Sequence, residues 1–367
     1  MLPRRVRIIG SGLLGASLGM RLLHLGAQVD VEDASPIAAA LARDLGAGDL
    51  ASDASPQPEL VVVAVPPDVT AEVVCRALER FPDALVIDVA SVKEVIGREV
   101  AAHPGAERYL GCHPMAGRER SGAIAADSDL FEGRPWVICA REGAAAPEHI
   151  ALTRELALDV GAIPYIMVAG QHDRAVALVS HLPQLVSSLM AGALRGAEES
   201  DLALAGQGLR DVTRIARSDA SLWASIVAGN APQIAPILRE VGEQAVALSR
   251  ALHSTGDNPV AGDGALAVAR TVAAGNEGVN RIPGKHGGAP RRYGHVIVLV
   301  PDQPGQLGRL FGDIGEIGVN IEDLQMEHSL NQPVGRAELS VLPASAEGLA
   351  AGLGERGWQV IVEGSEK

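Results

Sequence analysis

With 367 residues, 47% of them hydrophobic, the chain has enough apolar material for two or three domains with sizeable cores. Aromatic residues make up only 2%, so those cores must be built from Ala, Val, Leu and Ile. The 45 acidic residues outnumber the 31 basic ones, giving a formal net charge of −14, and no Lys/Arg cluster is long enough to form a nucleic-acid face.

In chain order, the first half alternates β-branched runs with helical stretches. Strands are predicted at Val6–Ile9, Gln28–Glu32, Leu60–Val65, Leu85–Val89 and Trp136–Cys139, with a further one near Gly161–Met167. Helices are predicted between them at Leu13–Leu25, Ile37–Leu45, Val69–Arg80 and Val92–His103. This alternation predicts an α/β Rossmann-type domain, a parallel sheet covered on both faces. From His172 to about Ala274 no strand is expected; apolar residues recur at helical spacing, as in Ala175–Leu194, Asp211–Arg217, Ala220–Ala228 and Ala231–Leu252. The apolar stretches of this all-α domain suggest burial against a second subunit. Pro283, Gly284, Gly287, Gly288 and Pro290 mark Arg281–Arg291 as a linker. Beyond it come strand Gly294–Val300, helix Gln306–Ile317, strands Val319–Glu327 and Val334–Leu342, helix Ala346–Arg356 and strand Trp358–Val362, the β-α-β-β-α-β order of a ferredoxin-like unit. The expected domains are therefore 1–167, 168–280 and 292–367, with 281–291 between the last two.

Three cysteines, Cys75, Cys112 and Cys139, are too few and too scattered for a disulfide framework or a zinc site, and no metal is expected. The apolar runs Leu60–Val65 and Val296–Val300 have strand length, far short of a membrane span. The N-terminus leads straight into a strand, leaving no room for a signal peptide, so a cytoplasmic setting without membrane partners is expected.

Gly10-Ser11-Gly12-Leu13-Leu14-Gly15 follows the first strand and opens the first helix. The first glycine permits the tight turn, the second lets a pyrophosphate approach the backbone, and the third lets helix and strand pack closely. The phosphates would then meet the free N–H groups of the helix start, at Leu13 and Leu14. Val65 and Pro66, where the third predicted strand ends, join this cofactor site. About 20 residues past the turn, Asp30-Val31-Glu32-Asp33 ends the second strand, where a ribose-binding carboxylate belongs. Asp33 is the strongest candidate, and a carboxylate there repels a 2′-phosphate, which favours NAD over NADP. The alternative is that these acids only cap the following helix.

Two polar segments fall where the C-terminal ends of the strands should lie, Asp88–Lys93 and Gly111–Gly117. Ligands in open α/β sheets bind there, which places Ser91 and His113 near a nicotinamide. A histidine, with an ordinary pKa of about 6.5, is a suitable proton acceptor. In the helical domain, Ser180-His181-Leu182-Pro183-Gln184 interrupts an apolar helix with polar groups on one face, beside a proline that frees a carbonyl. Arg210 and Arg214 share a later helical face, and an arginine entering a cleft is a natural carboxylate clamp. Each of these also has a plain structural reading, as a satisfied core cluster or a solvated helix face.

Together the segments Gly10–Gly19, Asp88–Lys93, Gly111–Gly122, His172–Gln184 and Arg210–Trp223 resemble the prephenate/arogenate dehydrogenase family of tyrosine biosynthesis. The last unit looks like an ACT domain, with Asp302–Leu307 matching its first strand-to-helix loop and Gly318–Ile321 its second strand. The resemblance implies that His113 accepts the proton of the substrate's ring hydroxyl while hydride passes to NAD. Ser91 would bond that hydroxyl and help orient His113. Arg214 would bind the side-chain carboxylate with Ser180 and Gln184 nearby, Glu119 would act as a gate, and Trp223 would lie by the contact of a homodimer. The implied function is prephenate dehydrogenase. Gln184 stands where many prephenate-using members have a second histidine, so arogenate, with an ammonium in place of the keto group, stays open as the alternative. A tyrosine effector at the ACT domain is the implied regulation.

Two rivals remain. A β-hydroxyacid dehydrogenase would be expected to place a lysine in its helical domain, which this one lacks. An amino-acid sensor with a decayed cofactor fold would not need the intact glycine turn, Asp33, Ser91 and His113.

Overall fold

Leu60–Val63 is buried at all four positions and sends alternate side chains to opposite faces. Leu60 and Val62 join one apolar cluster with Ile8, Leu18 and Leu22, while Val61 and Val63 join another with Val74, Leu78 and Ile96. A strand buried on both faces requires helices on both faces. The computed structural model supplies them, and it describes residues 3–117, 122–140, 146–253, 262–283, 293–328 and 333–362. Glu119 and most of the expected linker lie outside the described residues.

The first domain runs β1 (Arg5–Ile9), α1 (Leu13–His24), β2 (Gln28–Glu32), α2 (Pro36–Asp44), β3 (Asp49–Leu50), β4 (Leu60–Val63), α3 (Pro67–Arg80), β5 (Leu85–Asp88), α4 (Glu94–Val100), β6 (Tyr109–Pro114), β7 (Pro135–Cys139), α5 (Pro147–Asp159) and β8 (Ile163–Met167). Its eight strands lie in the order β3-β2-β1-β4-β5-β6-β7-β8. Neighbours are parallel throughout except β6 and β7, which are antiparallel.

Two strands depart from the sequence expectation. β3 is two exposed residues, too short to carry a periodic signal. β6 is more consequential, because Gly111–Pro114 reads as a polar loop and is instead paired with Cys139–Trp136. Gly111 serves packing here. A Cβ on it would come within 3.1 Å of the Lys93 side chain and 3.2 Å of the Tyr109 hydroxyl. Pro114 is tolerated because it is the last residue of the strand.

The helical segment holds α6 (Ala169–Val176), a π turn over Ala177–His181, α7 (Leu182–Ala193), α8 (Glu199–Leu202), α9 (Gln207–Thr213), α10 (Ala220–Gly229), α11 (Ala231–His253) and α12 (Asp263–Val279). Among the described residues it contains no strand, as expected. Pro183 carries no N–H, and the backbone ahead of it widens into the π turn rather than breaking. The helical run Ala169–Gly196 has 28 residues and is long and apolar enough to cross a membrane by length and composition. It nevertheless buries His172, Asp173, His181 and Gln184. The expected helix Asp211–Arg217 is split: α9 ends at Thr213, and Arg214–Ala216 forms a 3-10 turn before Asp219 caps α10 by accepting from Leu222 N at 2.8 Å.

The chain divides into two compact units, Met1–Gly196 with Val212–Gly242, and Ala197–Asp211 with Glu243–Lys367. The second unit carries β9 (Gly294–Pro301), α13 (Gln306–Ile317), β10 (Asp323–His328), β11 (Val334–Val341), α14 (Pro343–Glu355) and β12 (Gln359–Val362). Its antiparallel sheet has the order β10-β11-β9-β12, the ferredoxin-like arrangement that the element order implied. Val298, Leu310, Leu339 and Leu349 lie at the centre of its core. The second strand begins at Asp323 instead of Val319. Residues 319–322 form an extended connector in which Val319 and Ile321 pack on the core and Glu322 N donates to Ser340 O at 2.8 Å.

Candidate active site

The glycine turn sits between β1 and α1. Gly10 has φ +100°, and a Cβ there would lie 2.4 Å from Ala64 O. A Cβ on Gly15 would lie 2.0 Å from Gly10 O, so this glycine sets how closely α1 approaches the strand. Gly12 is different, with nothing within 4 Å of its Cβ position, and it stands as the N-cap of α1 with no side chain over the first free N–H groups. The turn therefore fits a dinucleotide pyrophosphate by shape as well as by sequence.

A cleft of about 650 Å³ opens beside it, lined by Gly10, Gly12, Asp33, Val65, Pro66 and Arg76 among others. Leu13 and Leu14 pack partly buried against the core, which leaves their backbone rather than their side chains facing the turn's free N–H end. Thr70 braces the Val65–Pro66 bend by donating to the carbonyls of Val65 (3.2 Å) and Pro66 (2.9 Å). Asp33 Oδ2 accepts from Ser11 N (2.7 Å) and Ser11 Oγ (2.8 Å), which ties the acid to the glycine turn. Its Oδ1 accepts from Ser35 N at 2.8 Å. The cap of α2 is Ser35, whose Oγ accepts from Ala38 N at 3.3 Å, so the three acids of Asp30–Asp33 are not the helix cap. Asp30 and Glu32 are occupied by the buried Arg7, and Glu32 also by Arg80. Asp33 is thus the carboxylate beside the turn.

His113 is the fifth residue of β6, and Gly111 pairs with Asp88 of β5. Two residues on, His113 stands level with the segment that leaves β5 toward Ser91. Its Nδ1 lies 2.8 Å from Nε2 of His172 in α6, with the rings edge to face. His172 Nδ1 lies 2.7 Å from Oδ1 of Asp173. Asp173 also accepts the backbone N–H of Lys93 (2.9 Å) and of Glu94 (2.9 Å), which joins α6 to the start of α4. Nε2 of His113 has no hydrogen-bond partner among the described residues. Burial, then the neighbouring His172, Lys93 and His181, hold the His113 pKa well below the ordinary histidine value.

Beneath His113 lies a buried charge cluster. Lys93 pairs with Asp88 Oδ1, which also accepts from Ala90 N at 2.8 Å, while Tyr109 donates to Asp88 Oδ2 at 2.7 Å. Burial and then Asp88 push the Tyr109 hydroxyl well above its usual range. The tyrosine is therefore a donor that supports Asp88, not a proton acceptor.

Of the other expected site residues, Ser91 is half-buried, and among the described residues the ring of His113 is bonded by His172 rather than by Ser91. Gln184 is buried, donating to Ser188 Oγ (3.3 Å) and accepting from Ser218 Oγ (3.4 Å). Ser180 is half-buried in the π turn and Arg214 is exposed in the 3-10 turn. Trp223 packs its ring edge to face on His181 at 6.0 Å. The sequence reasoning did not single out His172, Asp173, Lys93 and Asn230 as site residues. The available signal was an adjacent His-Asp pair heading an apolar helix, and a lysine in a chain whose basic residues are nearly all arginine.

This fold and site define a dinucleotide-dependent dehydrogenase. Residues 18–165 match the family model for the prephenate dehydrogenase nucleotide-binding domain, and residues 168–260 the model for the prephenate dehydrogenase dimerization domain. NovF of Streptomyces niveus, named a probable prephenate dehydrogenase, is 34% identical over 365 residues, covering 97% of this chain and 99% of that protein. The cyclohexadienyl dehydrogenase of Zymomonas mobilis is 29% identical over 248 residues, 64% of this chain and 84% of that protein. The structure of Aquifex aeolicus prephenate dehydrogenase with hydroxyphenyl propionate and NAD+ superposes with a TM-score of 0.64 at 24% identity, over 75% of this chain and 98% of that one, which shows a shared fold. The chain belongs to the prephenate dehydrogenase family.

Proposed function

We propose that the chain catalyses the NAD-dependent oxidative decarboxylation of prephenate to 4-hydroxyphenylpyruvate. The observation that carries this reading is His113, bonded from behind by His172 and with Nε2 unpartnered among the described residues at the C-terminal edge of the sheet. Bound at the glycine turn and Asp33, NAD supplies the hydride acceptor. The ring carbon bearing the hydroxyl gives up hydride, and the hydroxyl proton passes to His113 Nε2. The resulting ketone accepts the electron pair of the breaking C–C bond, CO2 leaves, and the ring becomes a phenol. Aromatisation drives the step, so the protein needs only to align the reactants, take one proton and exclude water.

Ser91 is assigned to the substrate hydroxyl, Arg214 to a substrate carboxylate, and Ser180, Gln184 and Trp223 to the side-chain end; Glu119 keeps its assignment as a gate. Arogenate is the second reading, supported by Gln184, whose amide oxygen accepts a hydrogen bond and can receive one from an ammonium. Replacing His113 by Asn should leave NAD affinity unchanged while turnover falls by roughly 10²–10⁴-fold, the usual contribution of a general base. Unchanged NADH production by that variant would remove His113 from its role.

The proposed domains are 1–167 for the cofactor, 168–280 for dimerisation and 292–367 for regulation, joined by 281–291. A homodimer is supported by the family's dimerization domain and by exposed apolar side chains such as Leu178 (59%), Val179 (61%) and Leu204 (87%), and a cytoplasmic setting is proposed with it. The ferredoxin-like unit is assigned as an ACT domain that takes tyrosine and lowers activity. A chain truncated after Ala274 should lose tyrosine sensitivity, and full retention would contradict the assignment.

A further inference from the structure

The proton positions in the chain His113–His172–Asp173 can be worked out from its buried end. Asp173 and His172 are each 1% exposed, so neither can touch a substrate. Both carboxylate oxygens of Asp173 already accept backbone N–H groups, Oδ1 from Lys93 and Oδ2 from Glu94. Oδ1 at 2.7 Å from His172 Nδ1 must accept there too, so that nitrogen carries a hydrogen. In the neutral ring Nε2 then bears only a lone pair. The group facing it at 2.8 Å, His113 Nδ1, must be the donor.

We propose that His172, held by Asp173, is a positioning residue that fixes His113 in its Nδ1–H tautomer, so that Nε2 stands as a bare acceptor for the substrate hydroxyl. The inference rests on His113 being the base and adds how that base is made ready. When the substrate O–H bond breaks and the Nε2–H bond forms, the charge created on His113 is shared through Nδ1–H and His172 with the Asp173 carboxylate.

The arrangement has a second consequence. His113, Lys93 and Glu94 belong to the sheet domain, whereas His172, Asp173 and Asn230 belong to the helical segment of the same compact unit. Asn230 extends the tie by donating its side-chain amide to the Asp173 carbonyl at 2.8 Å. The tautomer of the base is therefore a property of the junction between sheet and helices, and strand β6 alone does not fix it.

The test uses the full-length protein labelled with 15N-histidine, with His113 assigned by the resonances lost in His113→Asn. Long-range 1H–15N spectra at neutral pH should show Nδ1 of His113 protonated and Nε2 unprotonated. A wild-type His113 protonated on Nε2, as a doubly protonated His172 would impose, overturns the proposal without any variant. His172→Leu should give a mixture of His113 tautomers and lower kcat by roughly 10–10²-fold, within the range expected of proton transfer, with KM for NAD unchanged. His172→Gln, whose amide oxygen can accept from Nδ1–H, should recover most of that loss. An unaltered tautomer or kcat in His172→Leu, or equal impairment of the two variants, overturns the role of His172. Failure of the base reading would look different: His113→Asn would keep its turnover whatever the spectra show.

Discussion

Asn230 donates its side-chain amide to Nδ1 of His181 across 3.1 Å. The other bond of the same amide goes to the Asp173 carbonyl, which can only accept, so the amide orientation is fixed. His181 is thereby held as a neutral ring with its hydrogen on Nε2.

A pH dependence of stability follows. Burial lowers the His181 pKa to about 4, with Asp173 pulling it up and His172 pushing it down. The unfolded chain takes up this proton near pH 6.5, and the folded chain does not until about pH 4. Between those values the unfolded state binds more protons, so stability rises with pH across the window and is lost as pH falls. The loss from this group should be at most about 1.4 kcal/mol per pH unit, and the lowered His113 acts in the same direction. Urea unfolding from pH 7.5 to 4 measures this, and a His181→Gln chain should show a shallower slope.

Gly15→Ala tests the packing of the cofactor turn. The new methyl would meet Gly10 O at 2.0 Å, against backbone that cannot move without opening the turn. NAD affinity should fall at least tenfold, with about 1–3 kcal/mol of stability lost as for other overpacked sites. Calorimetric titration with NAD together with a melting curve measures both effects. Wild-type values in both would show that α1 can shift freely.

Asp173→Asn replaces an acceptor of three hydrogen bonds by an amide with one acceptor oxygen. The N–H of Glu94 would then face an NH2 group, and a buried unsatisfied donor of this kind costs about 1–3 kcal/mol. Chemical denaturation should show that loss, together with faster amide exchange at the start of α4. Exchange at wild-type rates would mean that Asp173 does not hold this helix.

Gln184→His addresses the choice of substrate. The side chain is buried between Ser188 and Ser218, so an imidazole there must replace both contacts. The ratio of kcat/KM for prephenate to that for arogenate should rise by about tenfold, equivalent to about 1.4 kcal/mol of differential transition-state binding. An unaltered ratio would separate Gln184 from specificity.

The glycine turn, Asp33 and the helical segment were legible in the sequence because each rests on local rules: a strand-turn-helix spacing, a carboxylate at a fixed distance, a 3.6-residue period. Strand β6 was not, because Gly111 and Pro114 give the signal of a loop, and the reason for Gly111 is the Lys93 and Tyr109 side chains lying over it. His172 and Asp173 escaped for a related reason. Their partners His113, Lys93 and Glu94 lie between 59 and 80 residues away, and no periodicity reports a contact over that distance. The antiparallel β6–β7 pair likewise depends on where residues 115–134 return the chain, which composition does not show.

The π turn over Ala177–His181 holds one residue more than an α-helical turn would. A π turn is in effect one residue inserted into an α-helix. The wide turn absorbs that residue, so the helix on either side keeps its phase; taken up by ordinary helix instead, it would rotate everything downstream by about 100° relative to α6. His172 and Asp173 lie before the turn, and Gln184 lies after it. A single-residue deletion within the turn would therefore leave both the support of the base and the direction of Gln184 in place. Its effect would fall on the side chains of the turn itself, Ser180 and His181.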